Sequence, residues 1–284
     1  MSNNTKELQH FLLTRFNLVL WNKDKEGNKV RTTEWLEHRF TLFGHYCLPS
    51  IKNQTCHNFE WIVLFDSKTP DNYRVRIEGY KNECPQFIPI FVEPEKSRYF
   101  ALIFRSVMVR RLNAKRVVST YLDNDDALNT SFVEDLQLRA LNLRDGSFIR
   151  YSDGYQFYAD CRYLVQIHYP KNHFVSVVEK GDATVIKGIF GYGGHLYLDK
   201  ITGMTIENVG NVPMWCEVIH DKNMINDANF LFGSRMIKDE KRLIHEFAIN
   251  ESVTYKTTYY VLKFLPRYFK SLLRRVRIVL YGWG

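Results

Sequence analysis

The sequence predicts an α/β fold: an open, mostly parallel central sheet, Rossmann-like in its winding and flanked by helices. Three observations predict it. Short apolar runs alternate with segments of 3–4 apolar spacing through the first half of the chain. Two of those runs close on acidic residues, Asp66 and Asp123, and open parallel sheets gather ligands beyond the carboxyl ends of their strands. No Pro- or Ser-rich linker, internal repeat or low-complexity stretch divides the 284 residues.

The elements follow in order. Residues 11–20 form the first strand, ending at Trp21 before a polar, Gly-containing loop over 22–29. Residues 35–51 carry Trp35, Leu36, Phe40, Phe43 and Tyr46 at helical spacing, with Pro49 marking the end. The apolar run within Glu60–Asp66 is a buried parallel strand. Residues 73–82 are a helix after the Pro70-Asp71 turn, and Phe87–Val92 is a strand whose Pro89 points to an edge. A helix over 102–112, a strand over 116–122 running into Asp123-Asn124-Asp125-Asp126, and a helix over 132–142 complete the alternation. From about Gly146 the texture changes to short β-like runs at 148–151, 155–158 and 162–167, rich in Tyr, Phe and Gly. These complete the same domain, which ends near residue 255.

Composition bounds the function classes. The chain is 45% hydrophobic and 25% charged, enough apolar material for a core, and disorder is excluded. Its net charge of +8 calls for an anionic partner: nucleic acid, an anionic membrane or a phosphorylated small molecule. The five cysteines are odd in number, widely spaced and free of CxxC pairs, a pattern of reduced cytosolic thiols. The polar N-terminus has no signal-peptide core, and no run of about 18 apolar residues is present. The expected location is therefore cytoplasmic, with peripheral contact at the inner face of the plasma membrane.

The acidic motif carries the sharpest chemistry. Three carboxylates within four residues repel one another unless a cation lies among them. A hard divalent ion, Mg²⁺ or Mn²⁺, held by carboxylates and substrate phosphates is the natural solution; a solvated acidic turn is the plainer one. An EF-hand does not fit, because the fifth and sixth positions from Asp123 are Ala127 and Leu128.

Strand-then-DxDD resembles the DxD motif of GT-A fold glycosyltransferases. Leu13-Thr14-Arg15-Phe16-Asn17 at the end of the first strand, the second-strand stretch from Phe59 through Asp66 to Pro70, and the late stretch from Pro213 through Trp215 and His220 to Asn223 match in order. Together they resemble the bacterial GT-A fold glycosyltransferases grouped as a rhamnosyltransferase family, over residues 11–223. The resemblance implies a metal-dependent transfer of a sugar, rhamnose or another hexose, from a nucleotide-diphosphate donor to a glycan or lipid-linked acceptor in surface polysaccharide synthesis. It implies donor contacts at Thr14, Arg15, Asp66, Arg105 and Asp123, and a metal held by Asp125, Asp126 and His220. Tyr121 stands where the family pattern often has Arg, which bears on specificity.

Plainer readings accompany several of these. Arg15 is equally a surface strand residue, Asp66 a cap for the next helix, and His220 a structural histidine. An inverting transfer needs a base for the acceptor hydroxyl. Glu217 is preferred over Glu179, because neighbouring Trp215 would offer a stacking face to a sugar. His195 follows a glycine-rich approach without phosphate-loop spacing, and its role is open.

Residues 256–284 read as a basic amphipathic helix. Lys263, Arg267, Lys270, Arg274 and Arg277 fall at spacings of three and four, Pro266 suits a first turn, and Tyr281 and Trp283 close the tail. This suits an anchor on an anionic membrane surface; docking onto the core is the plainer reading. Two other function classes are weighed against the enzyme. A non-catalytic basic protein binding nucleic acid or glycan is disfavoured because residues 263–277 hold six of the basic residues and no acid, so the excess is concentrated in the tail, and no nucleic-acid signature appears. An inactive relative is disfavoured by the intact acidic motif.

Overall fold

The computed structural model describes residues 5–21, 31–220 and 234–255, together with Leu265, Phe269 and Leu273. Its centre is a seven-stranded sheet. Strands β1 (Lys6–Arg15), β2 (Glu60–Asp66), β3 (Phe87–Val92) and β4 (Ala114–Tyr121) lie parallel in the order β3-β2-β1-β4. Helices α1 (Thr33–Leu42), α2 (Leu48–Lys52), α3 (Asp71–Glu83) and α4 (Phe100–Arg111) fall between them. A two-residue strand β5 (Ala127–Leu128) and helix α5 (Phe132–Asn142) follow the acidic motif.

The second half supplies β6 (Ser147–Tyr151), β7 (Asp153–Tyr158), β8 (Tyr163–His168), β9 (Val175–Lys180), β10 (Thr205–Val209), β11 (Trp215–Ile219), β12 (Arg235–Met236) and α6 (Arg242–Phe247). β9 runs antiparallel between β4 and β6, and β10 extends the sheet parallel to β6. β9 therefore enters the sheet at the rim where β1, β2 and β4 leave it. The remaining strands form a second sheet, β12-β8-β7-β11-β5. In it β7 and β11 pair parallel across some sixty intervening residues, with Gln156 opposite Glu217.

Alternation along the strands explains the layers. Leu12, Val63 and Val118 face the side covered by α1, α3 and α5, in a core with Phe40, Phe43, Ile77 and Leu136. Phe11, Leu13, Ile62, Leu64 and Val117 face the other side, against Phe104 and Met108 of α4 and Ile189 and Leu198 of the loop after β9. A third cluster joins Tyr155, Phe157, Leu164 and Val218 of the second sheet to Leu243 and Phe247 of α6. A chain buried on both sheet faces reads as continuous apolar runs, as β2 does.

Two boundaries differ from the sequence reading. β1 starts at Lys6 and ends at Arg15, not 20, because the Asn17 side chain turns the chain by bonding Thr69 Oγ1 at 3.0 Å and the Asp66 amide at 2.9 Å. Pro49 does not end the helix. A π-helical turn over Phe43–Cys47 absorbs it, and Pro49 falls in the first turn of α2, where the missing N–H is harmless. The expected C-terminal helix lies almost wholly outside the described residues; Leu265, Phe269 and Leu273 are helical and exposed. No described helix is long and apolar enough to cross a membrane.

Candidate active site

The acidic motif leaves β4 at the carboxyl rim and is fastened there by its neighbours. Asn124 donates to the carbonyls of Phe16 at 2.6 Å and Arg15 at 3.3 Å, pinning the loop to the end of β1. Arg39, a buried residue of α1, donates to Asn124 Oδ1 at 3.3 Å and to Asp125 Oδ2 at 2.6 Å. His220, just past β11, lies 3.1 Å from the same Asp125 oxygen. Burial alone would raise the Asp125 carboxyl, but Arg39 and His220 outweigh it and hold it well below the usual carboxylate range.

Asp126 points the other way. It is 0% exposed, accepts from the Val218 amide at 3.0 Å, and meets His173 Nε2 at 2.9 Å. Burial pushes the Asp126 carboxyl up. Burial would also lower His173, but its contact with Asp126 overcomes this and raises it, with Asp123 adding to the effect. The pair therefore holds a proton firmly at neutral pH. Asp123 completes a cluster: one ligand atom each from Asp123, Asp126 and His173 lies within 4.8 Å of the others. Two carboxylates and an imidazole suit Mn²⁺ or Mg²⁺ chemistry.

The donor cluster thus differs from the set read from the sequence. Asp126 belongs to it, but Asp125 and His220 are engaged with Arg39 and one another, and Asp123 and His173 take their place among the described residues. His173 escaped the sequence reading because only β9's antiparallel entry brings it to the motif. The signal available was the turn-forming Pro170-Lys171-Asn172 and a histidine just before an apolar run.

Arg15 sits beside the cluster. Its Nη2 donates to the Tyr121 hydroxyl at 3.0 Å and lies 3.8 Å from Asp123, while Tyr121 donates to Asp123 Oδ2 at 2.5 Å. The guanidinium packs over Phe100 at 4.8 Å and Phe190 at 5.1 Å, and its buried Nε has no hydrogen-bond partner. Arg15 is thus no free surface residue but a fixed cation at the rim. Tyr121 links that cation to Asp123.

A cavity of about 310 Å³ is lined by Asn17, Arg31, Trp35, Asp66, Thr69 and Tyr73, among others, and by none of Asp123, Asp126, His173 and Arg15. It opens at the ends of β1 and β2, adjoining Phe16, to which the acidic loop is tied. Asp66 serves two ends: Oδ1 accepts from the Lys68 amide at 2.8 Å, capping the turn, and the side chain borders the cavity.

Three of the expected residues are engaged inside the fold. Thr14 is fully buried and its hydroxyl accepts from Trp61 Nε1 at 2.9 Å, so it faces the core instead of a ligand. Arg105 spends its guanidinium on the carbonyls of Ile186 at 2.7 Å and Ala183 at 2.8 Å, bracing the loop after β9. Trp215 is 1% exposed, stacked on Phe174 at 4.8 Å and bonded through Nε1 to the Tyr151 carbonyl, so it offers no face to a sugar.

Of the two carboxylates considered as base, Glu179 is consumed structurally, accepting from the amides of Lys187 and Gly188 and from the Tyr192 hydroxyl. Glu217 is buried on β11 with Gln156 at 2.6 Å. Burial raises its carboxyl, against the opposing charge of nearby His173. His195 rests its ring 6.0 Å from that of His173 and is pushed down to about 4, first by burial and then by His173 and Arg150.

Comparison with known proteins adds a family. The model of the family described as "Putative rhamnosyl transferase" matches residues 9–230, most of the chain. No curated protein matches. Among solved structures, that of S. aureus TarS 1-349 in complex with UDP aligns at 11% identity and a TM-score of 0.43, covering 75% of this chain and 60% of that one. A structure described as a "putative nucleotide-diphospho-sugar transferase" from Desulfovibrio desulfuricans G20 aligns at 9% identity and a TM-score of 0.38, covering 74% of this chain and 83% of that one. The chain thus spans about 60% of the TarS fragment.

Proposed function

The chain belongs to this rhamnosyl transferase family, and from that membership we propose that it is a metal-dependent enzyme transferring a sugar from a nucleoside diphosphate to a glycan or lipid-linked acceptor in surface polysaccharide synthesis. The donor sugar is rhamnose or another hexose. The observation that carries the reading is the Asp123–Asp126–His173 cluster after the end of β4, in a fold that also holds a cavity bordered by Asp66 at the ends of β1 and β2.

Each residue has a part in this reading. Asp66 meets the nucleobase in the cavity, within reach of the aromatic rings of Trp35 and Tyr73, while Asn17 holds the Asp66 backbone in place. Asp123, Asp126 and His173 hold a divalent ion, which when bound neutralises the leaving diphosphate. Arg15 adds a second, fixed positive charge at the same rim, one that Asp123 and Tyr121 keep in place. Glu217 takes the acceptor proton in an inverting transfer, a role suited to a carboxylate whose affinity for protons is raised by burial. The basic tail, with Leu265, Phe269 and Leu273 exposed, rests on an anionic membrane surface and brings the enzyme to its acceptor.

The test is calorimetric titration of the full chain with UDP and dTDP, each with and without Mn²⁺, repeated with Asp123→Asn. Metal-dependent binding that the variant loses supports the reading, and the preferred base narrows the donor. Absence of binding to either nucleotide under both conditions overturns it and favours a non-catalytic basic binding protein.

A further inference from the structure

We propose an anion subsite beside the catalytic rim, formed by Arg150 and Lys171 and occupied in the free protein by the carboxylate of Asp199, which a negatively charged group on the acceptor displaces. This rests on reading the rim as a transferase site.

Arg150 is the second-last residue of β6 and pairs with Val175, the residue at which β9 enters the sheet. It is 2% exposed. A guanidinium keeps its charge in proteins and offers five N–H donors in a planar fork. Here Nε donates to Asn208 Oδ1 at 3.2 Å and Nη2 to Asp199 Oδ1 at 3.2 Å, while the buried Nη1 has no hydrogen-bond partner. Lys171 holds the other oxygen of Asp199 at 3.1 Å. Two cations thus share one carboxylate, and one buried charged donor is left over. Buried donors are satisfied as a rule, and an exception calls for a ligand, an ion or a water.

Asp199 is the movable member. Its side chain is 38% exposed, against 2% for Arg150, so it can swing out to water without burying an unpaired charge. It belongs to the turn His195–Lys200, which follows Gly193, at φ 81°, and Gly194. His195 of the same turn lies against His173 of the Asp–Asp–His cluster. The turn that plugs the two cations therefore also borders the site of transfer. A sugar carboxylate or a sugar phosphate is a compact oxyanion able to bridge Lys171 and the guanidinium fork. The inference is an acceptor that carries one of these groups.

The experiment titrates the full chain by calorimetry with methyl glucuronide, methyl phosphate and, as the neutral control, methyl glucoside. Nucleoside diphosphate and Mg²⁺ are present at saturation, so that the donor site takes up no probe. Asp199→Asn removes the internal competitor, and the expected result is about tenfold tighter binding of one anionic probe. The glucoside is unaffected, and adding Lys171→Gln reverses the gain. Whichever anion gains identifies the group as carboxylate or phosphate. Equal binding of both anions to wild type and Asp199→Asn overturns the subsite. Should the nucleotide itself fail to bind, the transferase reading falls separately, and the same titrations without it still decide whether Asp199 competes with an anion.

Discussion

Replacing Arg39 by Ala removes the cation that holds the acidic loop. Arg39 and Asp125 are 5% and 7% exposed, and their charged atoms meet at 2.6 Å. An exposed pair would contribute at most about 1 kcal/mol, but breaking a buried pair by removing one partner costs about 3–5 kcal/mol, because the other charge is left uncompensated. His220, at 3.1 Å from Asp125, remains as a partner and places the cost near the lower end, while Asn124 loses its donor and adds about 1 kcal/mol. The expected loss is therefore about 3–4 kcal/mol in urea unfolding at pH 7. Since Arg39 depresses Asp125, the contribution is complete above the ordinary carboxylate range and disappears as pH falls through the depressed value. Combining Arg39→Ala with Asp125→Asn removes the stranded charge. The double variant should be more stable than the sum of the single losses by about 2 kcal/mol. A single-variant loss below about 1 kcal/mol, or additivity within about 0.5 kcal/mol, would refute the buried-pair reasoning.

Other perturbations have equally definite outcomes. His10 is a buried residue of β1, bonded to Thr120 of β4 at 2.8 Å, and burial pushes it down to about 3. The unfolded chain therefore binds a proton that the native state refuses, and between pH 6.5 and 5 this destabilises the wild type by about 2 kcal/mol. His10→Gln should remove that part of the slope, and an unchanged slope in denaturant titrations at the two pH values would count against it. Gly154→Ala places a Cβ 2.1 Å from the Trp215 ring, and overpacking of this kind should cost about 1–3 kcal/mol in thermal unfolding. Tyr121→Phe frees Asp123 from the hydroxyl that orients it. Mn²⁺ affinity should then fall about tenfold or more by calorimetry, whereas unchanged affinity would mean that Tyr121 does not position Asp123.

Much of the sheet was legible because its strands are local signals. Glu60–Asp66 and Phe87–Val92 read directly as an apolar run closed by an acid and as an edge strand with proline, and the structure keeps both bounds. The acidic motif followed from its position after β4. What escaped depends on pairing between distant segments. Nothing near Glu217 announces that β11 lies beside β7, and the segments of the second sheet therefore read only as strands and loops completing the same domain. Trp215 looked like a sugar platform because an aromatic beside a carboxylate carries no mark of burial; only Gly154, which lets the indole approach its backbone, makes that burial possible. The metal-type cluster was half visible. Asp126 and Asp123 sit in the motif, but the choice between Asp123 and Asp125 turns on Arg39 from α1, and the choice between His173 and His220 turns on the direction of β9. Spacing along the chain encodes neither.

That choice is also where the proposed chemistry is most exposed to test. Mn²⁺ binding by equilibrium dialysis, with electron paramagnetic resonance of the bound ion, should be compared in wild type, His173→Gln and His220→Gln. If the ion sits among Asp123, Asp126 and His173, His173→Gln weakens binding by about tenfold or more while His220→Gln leaves most of it intact. Binding that His220→Gln abolishes and His173→Gln leaves unchanged would contradict the assignment and return the metal to Asp125.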